Sequence, residues 1–456
     1  MYTQSDAECS LWFATALLPS GWSTSVRIGI RAGRIITVES GVPAKPGDER
    51  YAIGLPGAVN VHSHAFQRAL AGLTEHSRGA DSFWSWREAM YALVAKLTPE
   101  QLEAVAAQAY VEMLEAGITR VGEFHYVHHS ADGSHYSNIA EQAVRIAAAA
   151  SETGIGLTLL PVFYAHGGIG GQPPLPTQRR FVNTLDSYAR LLEGSRLALA
   201  NVPHSQIGIA AHSVRAVKPA ELAALRRIEP ALPFHMHIAE QIAEVEQWQQ
   251  WAGARPVEWL LDRFDVDEHW CLVHATHVTE QELSRIVASG AVVGLCPITE
   301  ANLGDGLFPA KELIARGGHF GIGTDSNVLI DFAEELRLLE YGQRIRHFER
   351  NVIRSDDMST GRTLFQRAVE SGAKVLHRDV GRLASGAIAD VVALRDDHPT
   401  MPHRADDALL DSWIFAGARA IEAVWSGGRK VVSEGQHVQR ERIASAYRRT
   451  LGDLLS

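Results

Sequence analysis

The hydrophobic pattern changes twice along this chain. From about residue 8 to 55 short apolar runs alternate with turns, as in Val26-Arg27-Ile28-Gly29-Ile30-Arg31 and Gly33-Arg34-Ile35-Ile36-Thr37-Val38, which is strand-and-hairpin texture. The same texture returns late, in Ala389-Asp390-Val391-Val392-Ala393-Leu394 and in Val424-Trp425-Ser426-Gly427-Gly428-Arg429-Lys430-Val431-Val432. Neither stretch is long enough for a large domain alone. The expected arrangement is one small β-sandwich domain built from residues 1–56 and 381–456, the latter ending in a helical tail.

Between the two, apolar runs alternate with long helical stretches, the signature of β-α units around a parallel sheet. Eight strand candidates fall near 58–64, 119–127, 155–163, 206–213, 233–239, 271–276, 291–297 and 319–325. Several are near-continuous apolar runs, as strands buried on both faces must be. Eight such units predict an α/β fold, a (β/α)8 TIM-type barrel over residues 57–380. One helix is sharply bounded: Thr98 suits the N-cap with Gln101 three residues on, Pro99 the first helical position and Gly117 the left-handed C-terminal cap. The glycine-rich segment 167–174 reads as an irregular loop on the barrel face where active sites form.

Chemistry enters where polar residues interrupt these runs. Strand one ends in His62-Ser63-His64; two residues apart, the imidazoles point from the same side of a strand, about 7 Å apart along it, close enough to share a metal ion. Strand five carries His235 and His237, with Glu240 just past it; strand six gives His274 and strand eight Asp325. If the barrel forms, all of these converge on one rim. Three imidazoles and a carboxylate suit one divalent ion, zinc first, and a metal lowers the pKa of a bound water to about 7. Periodicity does not separate His235 from His237; His237, nearer the rim, is the expected ligand and His235 a supporting or core histidine. Glu240 can hold substrate and move a proton, and His274 can act as an electrostatic partner or proton donor.

Composition narrows the partners. In 456 residues the net charge is -10, which disfavours nucleic acid and anionic membrane surfaces, and no apolar run approaches the length of a membrane span. Cys9, Cys271 and Cys296 form no CxxC pair and are odd in number, so neither a disulfide framework nor a cysteine zinc site is expected. Residues 1–10 lack a basic segment followed by an apolar one. The expectation is a cytoplasmic enzyme.

His62-Ser63-His64, His237, His274 and Asp325, with Gly381-Arg382-Leu383-Ala384-Ser385-Gly386-Ala387-Ile388-Ala389-Asp390, resemble the amidohydrolase superfamily over nearly the whole chain. Longer strings resemble the formimidoylglutamate deiminase family within it. They are 62–68, Asp81-Ser82-Phe83-Trp84-Ser85-Trp86-Arg87-Glu88, Glu123-Phe124-His125-Tyr126-Val127-His128-His129, 156–162, 170–173 and Thr299-Glu300-Ala301-Asn302-Leu303-Gly304-Asp305-Gly306. The resemblance implies one zinc ion on His62, His64, His237 and Asp325, with Glu240, His274 and Asp325 catalytic. It also implies substrate contacts from Gln67, Arg87, Tyr126, His212 and Arg215, and a homodimer. The implied activity is hydrolysis of N-formimino-L-glutamate to N-formyl-L-glutamate and ammonia in histidine degradation. The two arginines suit a small-molecule substrate with carboxylates. Two positions depart from the family pattern: Thr324 and Asn327 stand where Ser and His are expected. Strand four offers no lysine to bridge two metals, so one ion is expected. The competing functions are an aminohydrolase of purines, pyrimidines or triazines, and a barrel that has lost catalysis and only binds.

Overall fold

The computed structural model describes residues 9–75, 83–376, 378–417 and 420–456. The Asp81-Ser82 part of the family string and nearly all of the N-terminal segment lie outside the described residues.

Eight parallel strands close into a barrel. In chain order they are Ala58–Ser63, Ile118–His125, Gly156–Phe163, Ile209–Ser213, Phe234–Ile238, Trp270–His274, Val292–Leu295 and His319–Ile322. The eighth closes on the first with Ile322 opposite Asn60, and an isolated bridge joins Ser63 to Asp325. Nearly every strand position is buried, which is why the sequence reads as apolar runs rather than alternation. The fourth strand is broken at Gly208, where a Cβ would meet Leu160 at 2.5 Å and the Pro233 carbonyl oxygen at 3.0 Å. Gln206–Ile207 therefore pairs only with the third strand before Ile209–Ser213 joins the fifth.

The helix Pro99–Glu115 starts on a capping box: Thr98 Oγ1 accepts from Gln101 N, and the Gln101 side chain accepts from Thr98 N. Gly117, at φ 80°, turns the chain straight into the second strand. Its side chains Leu102, Val105, Ala109, Met113 and Leu114 are buried, the face the sequence spacing selects.

The two chain ends form one eight-stranded sheet. Cys9–Leu18 lies between Gly21–Arg31 and Glu49–Pro56, and Glu49–Pro56 pairs antiparallel with Val391–Leu394. Arg34–Glu39 forms one edge, and Ile421–Ser426, Arg429–Ser433 and Gln436–His437 extend the other. The sheet has its own core, including Leu11, Phe13, Val26, Ile28, Val391 and Trp425. Asp390 ties it to the barrel: its carboxylate accepts from Arg120 (Nη2 to Oδ1, 2.9 Å), Thr119 Oγ1 and Gly427 N. Arg120 and Asp390 are both fully buried, so each charge depends on the other. The helix Asp407–Phe415 packs on two barrel helices, Phe332–His347 and Thr360–Val375, and Arg440–Leu455 packs on Pro99–Glu115.

Candidate metal centre and active site

The C-terminal strand ends bring His62, His64, His237 and Asp325 together, all buried, with one ligand atom from each within 4.8 Å of the others. His62 Nε2 lies 3.2 Å from His64 Nε2 and 3.0 Å from His237 Nε2. Asp325 Oδ1 lies 3.3 Å from His62 Nε2 and 3.2 Å from His64 Nε2. Ligand atoms about 2.0–2.1 Å from one ion lie roughly 3 Å from each other, so the set fits one zinc-sized ion.

The tautomers agree. His64 Nδ1 donates to the Phe124 carbonyl oxygen at 2.8 Å and His237 Nδ1 to that of His212 at 2.9 Å, which leaves both Nε2 lone pairs bare. Bare lone pairs aimed at one point repel unless a cation lies between them. Burial keeps the rings neutral: His64 is pushed down to about 3, with His62 adding to the effect, and His237 falls well below the usual histidine value. Burial would raise Asp325, but the hydrogen bond with His62 and the neighbouring imidazoles hold it below the usual carboxylate range. His235, fully buried in the same strand as His237, is not part of the group.

Glu240 and His274 stand beside this cluster. His274 Nε2 lies 3.8 Å from Asp325 Oδ2 and 3.9 Å from Glu240 Oε1, while its Nδ1 is 3.2 Å from Glu300 Oε1. Burial works against its positive charge. The Glu300 hydrogen bond and the charges of Glu240, Asp325 and Glu300 outweigh burial and raise His274 to about 10. Arg215 reaches Glu240 (3.3 Å) and Glu244 (3.7 Å), so its charge is already partly balanced from within the protein. Around this rim five non-glycine residues hold positive φ: Ala239, His274, Ala275, Asp325 and Asn327. Backbone strain of this kind persists only where the surroundings enforce it, and it gathers at functional sites.

A cavity of about 590 Å³ opens over the cluster. Of the residues singled out in the sequence, His64, Gln67, Arg87, Tyr126, His212, Arg215, His237, Glu240, His274 and Asp325 line it, and His62 sits fully buried beneath. Gln67 Nε2 donates to Tyr126 OH at 2.9 Å, and its buried Oε1 meets no hydrogen-bond partner among the described residues. His212 is held neutral by burial and by the charge of Arg215. The Gly167 loop lines the mouth.

Several contributors have no sequence signal of their own. Tyr91 and Tyr164 line the wall and both accept from Gln178 Nε2, at 3.2 and 2.9 Å. Glu123 accepts from Ala65 N at 2.7 Å and so fixes the turn that presents His64. Thr324 and Asn327, the two positions set apart in the sequence, have a structural role. Asn327 Nδ2 is 3.1 Å from Ser63 Oγ and from the carbonyl oxygens of His64 and Asp325, and its Oδ1 accepts from Thr324 Oγ1 at 2.6 Å. Asn60 in turn donates to Thr324 Oγ1 at 2.7 Å. These two residues brace the loop between strands one and eight.

Residues 53–431 match the model of the amidohydrolase family, to which the chain belongs. Residues 12–52 match a second model, the N-terminal domain of formimidoylglutamate deiminase HutF. A formimidoylglutamate deiminase of Pseudomonas aeruginosa is 49% identical over 96% of this chain and 98% of its own, so within the family the chain groups with those deiminases. An 8-oxoguanine deaminase of the same organism is 28% identical over 84% of this chain and 82% of its own. Among solved structures, an amidohydrolase from Brucella melitensis superposes with a TM-score of 0.95 at 52% identity, covering 98% of this chain and all of that one. A zinc-bound adenosine deaminase from Xanthomonas campestris shares the fold at 20% identity, TM-score 0.81, over 98% of both chains.

Proposed function

We propose that this enzyme hydrolyses N-formimino-L-glutamate to N-formyl-L-glutamate and ammonia, a step of histidine degradation, with one zinc ion on His62, His64, His237 and Asp325. The observation that carries the reading is the presence of Arg87 and Arg215 in the cavity that opens on the metal cluster. A substrate with two carboxylates calls for both cations, and a neutral heterocycle calls for neither. The 49% identity to a formimidoylglutamate deiminase supports the same choice.

When bound, the metal supplies a water of lowered pKa and polarises the group under attack. The chain's own residues do the rest. Asp325 takes the proton of the attacking water through its second carboxylate oxygen, the one facing His274. His274 stabilises the charge that develops on the oxygen added to the formimino carbon. Glu240, 3.9 Å from His274 Nε2, holds the imino nitrogen and relays to it the proton that Asp325 took, so that the hydrogens of the water leave with ammonia. Gln67, Tyr126, His212 and the two arginines bind the glutamate carboxylates.

We also assign the chain to the cytoplasm as a homodimer; no helix among the described residues is long and apolar enough to cross a membrane. The deciding experiment measures ammonia release by zinc-loaded protein across formimino, formyl, guanidino and heterocyclic amine compounds. Release from N-formimino-L-glutamate above all others is expected. No release above background from metal-replete protein sinks the reading, and preference for a purine, pyrimidine or triazine replaces it with the heterocyclic aminohydrolase. Absence of bound metal by elemental analysis reopens the non-catalytic barrel.

A further inference from the structure

We infer that Glu300 is a positioning residue: its Oε1 holds a proton on His274 Nδ1 and thereby reserves His274 Nε2 for the reacting side of the site. The direction of proton movement rests on the reaction proposed above; the geometry does not depend on it.

His274 ends the sixth strand at φ 67°, opposite Ile238 of the fifth; that backbone position does not set its ring. Both ring nitrogens nonetheless have distinct surroundings. Nδ1 meets Glu300 Oε1 at 3.2 Å, and Nε2 faces Asp325 and Glu240. Glu300 Oε1 already serves as an acceptor for Cys296 N, and as the acceptor of this bond too it leaves the hydrogen on Nδ1. Glu300 does not line the cavity, so it reaches the chemistry only through His274.

Glu300 itself is fixed from behind. The same Oε1 accepts from Cys296 N at 2.9 Å, at the start of the helix Pro297–Leu303, which follows the seventh strand. Its neighbour Thr299 points the other way: Thr299 Oγ1 lies 3.0 Å from Ser326 Oγ and 3.3 Å from the Thr324 carbonyl oxygen. Two consecutive residues in one helical turn thus hold the two active-site elements on either side, the end of strand six and the loop carrying Asp325. The competing role for Glu300 is a helix cap that serves Cys296 N alone. A cap requires no contact with His274.

The test uses zinc-loaded holoenzyme with 15N-labelled histidine, His274 being assigned from the signal that His274→Asn removes. Wild type is expected to show a proton on His274 Nδ1. In Glu300→Ala that signal is lost and kcat falls about 100-fold or more, the range of a misplaced acid–base group, while KM stays within about threefold. Zinc remains at one ion per chain. Glu300→Gln retains the signal and most of the rate, because Cys296 N–H pins the amide oxygen where Oε1 stood. A wild-type spectrum with Nδ1 bare overturns the inference even if Glu300→Ala does not fold. So does Glu300→Ala with its Nδ1 signal intact, or with full activity per bound zinc. Wild type that shows the Nδ1 proton but releases no ammonia removes the deimination reading and leaves the role of Glu300 standing.

Discussion

Replacing Asn327 by alanine should loosen the whole metal rim, by an amount the geometry sets. The side chain is completely buried. Its two Nδ2 hydrogens serve Ser63 Oγ and the His64 and Asp325 carbonyl oxygens, and its Oδ1 receives the Thr324 hydroxyl. Losing these contacts, which involve three hydrogens (two from Nδ2 and one from Thr324), removes about 3 kcal/mol at about 1 kcal/mol per hydrogen. Position 327 also sits at φ 55°, where alanine is worse than asparagine by about 1 kcal/mol. The total is about 4 kcal/mol. For 456 residues unfolding together, an entropy near 2.1 cal/mol/K per residue turns that into a Tm lowered by about 4 °C. Because His64 and Asp325 hang from the same bonds, zinc affinity should fall about 10–100-fold, the usual effect of losing a group that orients metal ligands. Calorimetry on apo and zinc-loaded protein gives the first number, and competition with a chromophoric chelator gives the second. Asn327→Ala with a Tm within a degree of wild type and unchanged zinc affinity would refute the argument that Asn327 holds the rim.

Three further outcomes are expected. Arg87→Ala should raise KM for a dicarboxylate about tenfold or more with kcat little changed, whereas Arg215→Ala, which also strips Glu240 and Glu244 of their cation, should lower kcat as well; equal kinetics in the two variants would contradict the pairing. Removing the metal with a chelator should abolish activity and lower the Tm, and zinc at about 100 times its Kd should restore about 2.7 kcal/mol; a Tm indifferent to zinc would count against the site. Burial raises Glu123 to about 8 despite the hydrogen bond from Ala65 N and the lowering effect of the Ser63 and Tyr110 hydroxyls. The folded state then binds more protons than the unfolded state between about pH 4.5 and 8, so stability from this group falls as pH rises through that window, and Glu123→Gln should remove the fall. Parallel Tm–pH curves for the two proteins would show that Glu123 does not titrate this way.

Strand ends were the legible part of this sequence, because a histidine or aspartate closing an apolar run stands out against strands that need no polar groups. His62, His64, His237, His274 and Asp325 could all be picked on that basis, and the barrel brings them to one place. His235 and His237 show the limit: both share one strand face, and only the depth of each along the barrel axis separates a residue in the metal cluster from one packed below it. Glu300 and Glu123 lie in strings that carry the family resemblance, yet their roles were illegible for a different reason. Each looks like an ordinary acid near an element boundary, and what distinguishes it is a partner far away in the chain, His274 for one and Ala65 for the other. The same holds for Arg215, whose partial balancing by Glu244 follows from the packing of a helix start against a strand end. Positive φ at Ala239 and Ala275 leaves no trace in residue type, since glycine or asparagine would have been the ordinary choice.

The sheet that joins the two chain ends imposes an order on biosynthesis. Glu49–Pro56 is made early, yet its neighbour on one side, Val391–Leu394, emerges from the ribosome only after the last barrel strand. Until then the strand presents an open edge of unpaired amides and carbonyls beside a growing barrel. Arg120 waits equally long for Asp390, a buried cation without its anion. A chain stalled or cleaved before residue 390 therefore carries both defects at once, and such fragments should be found with chaperones or in aggregates rather than as folded barrels.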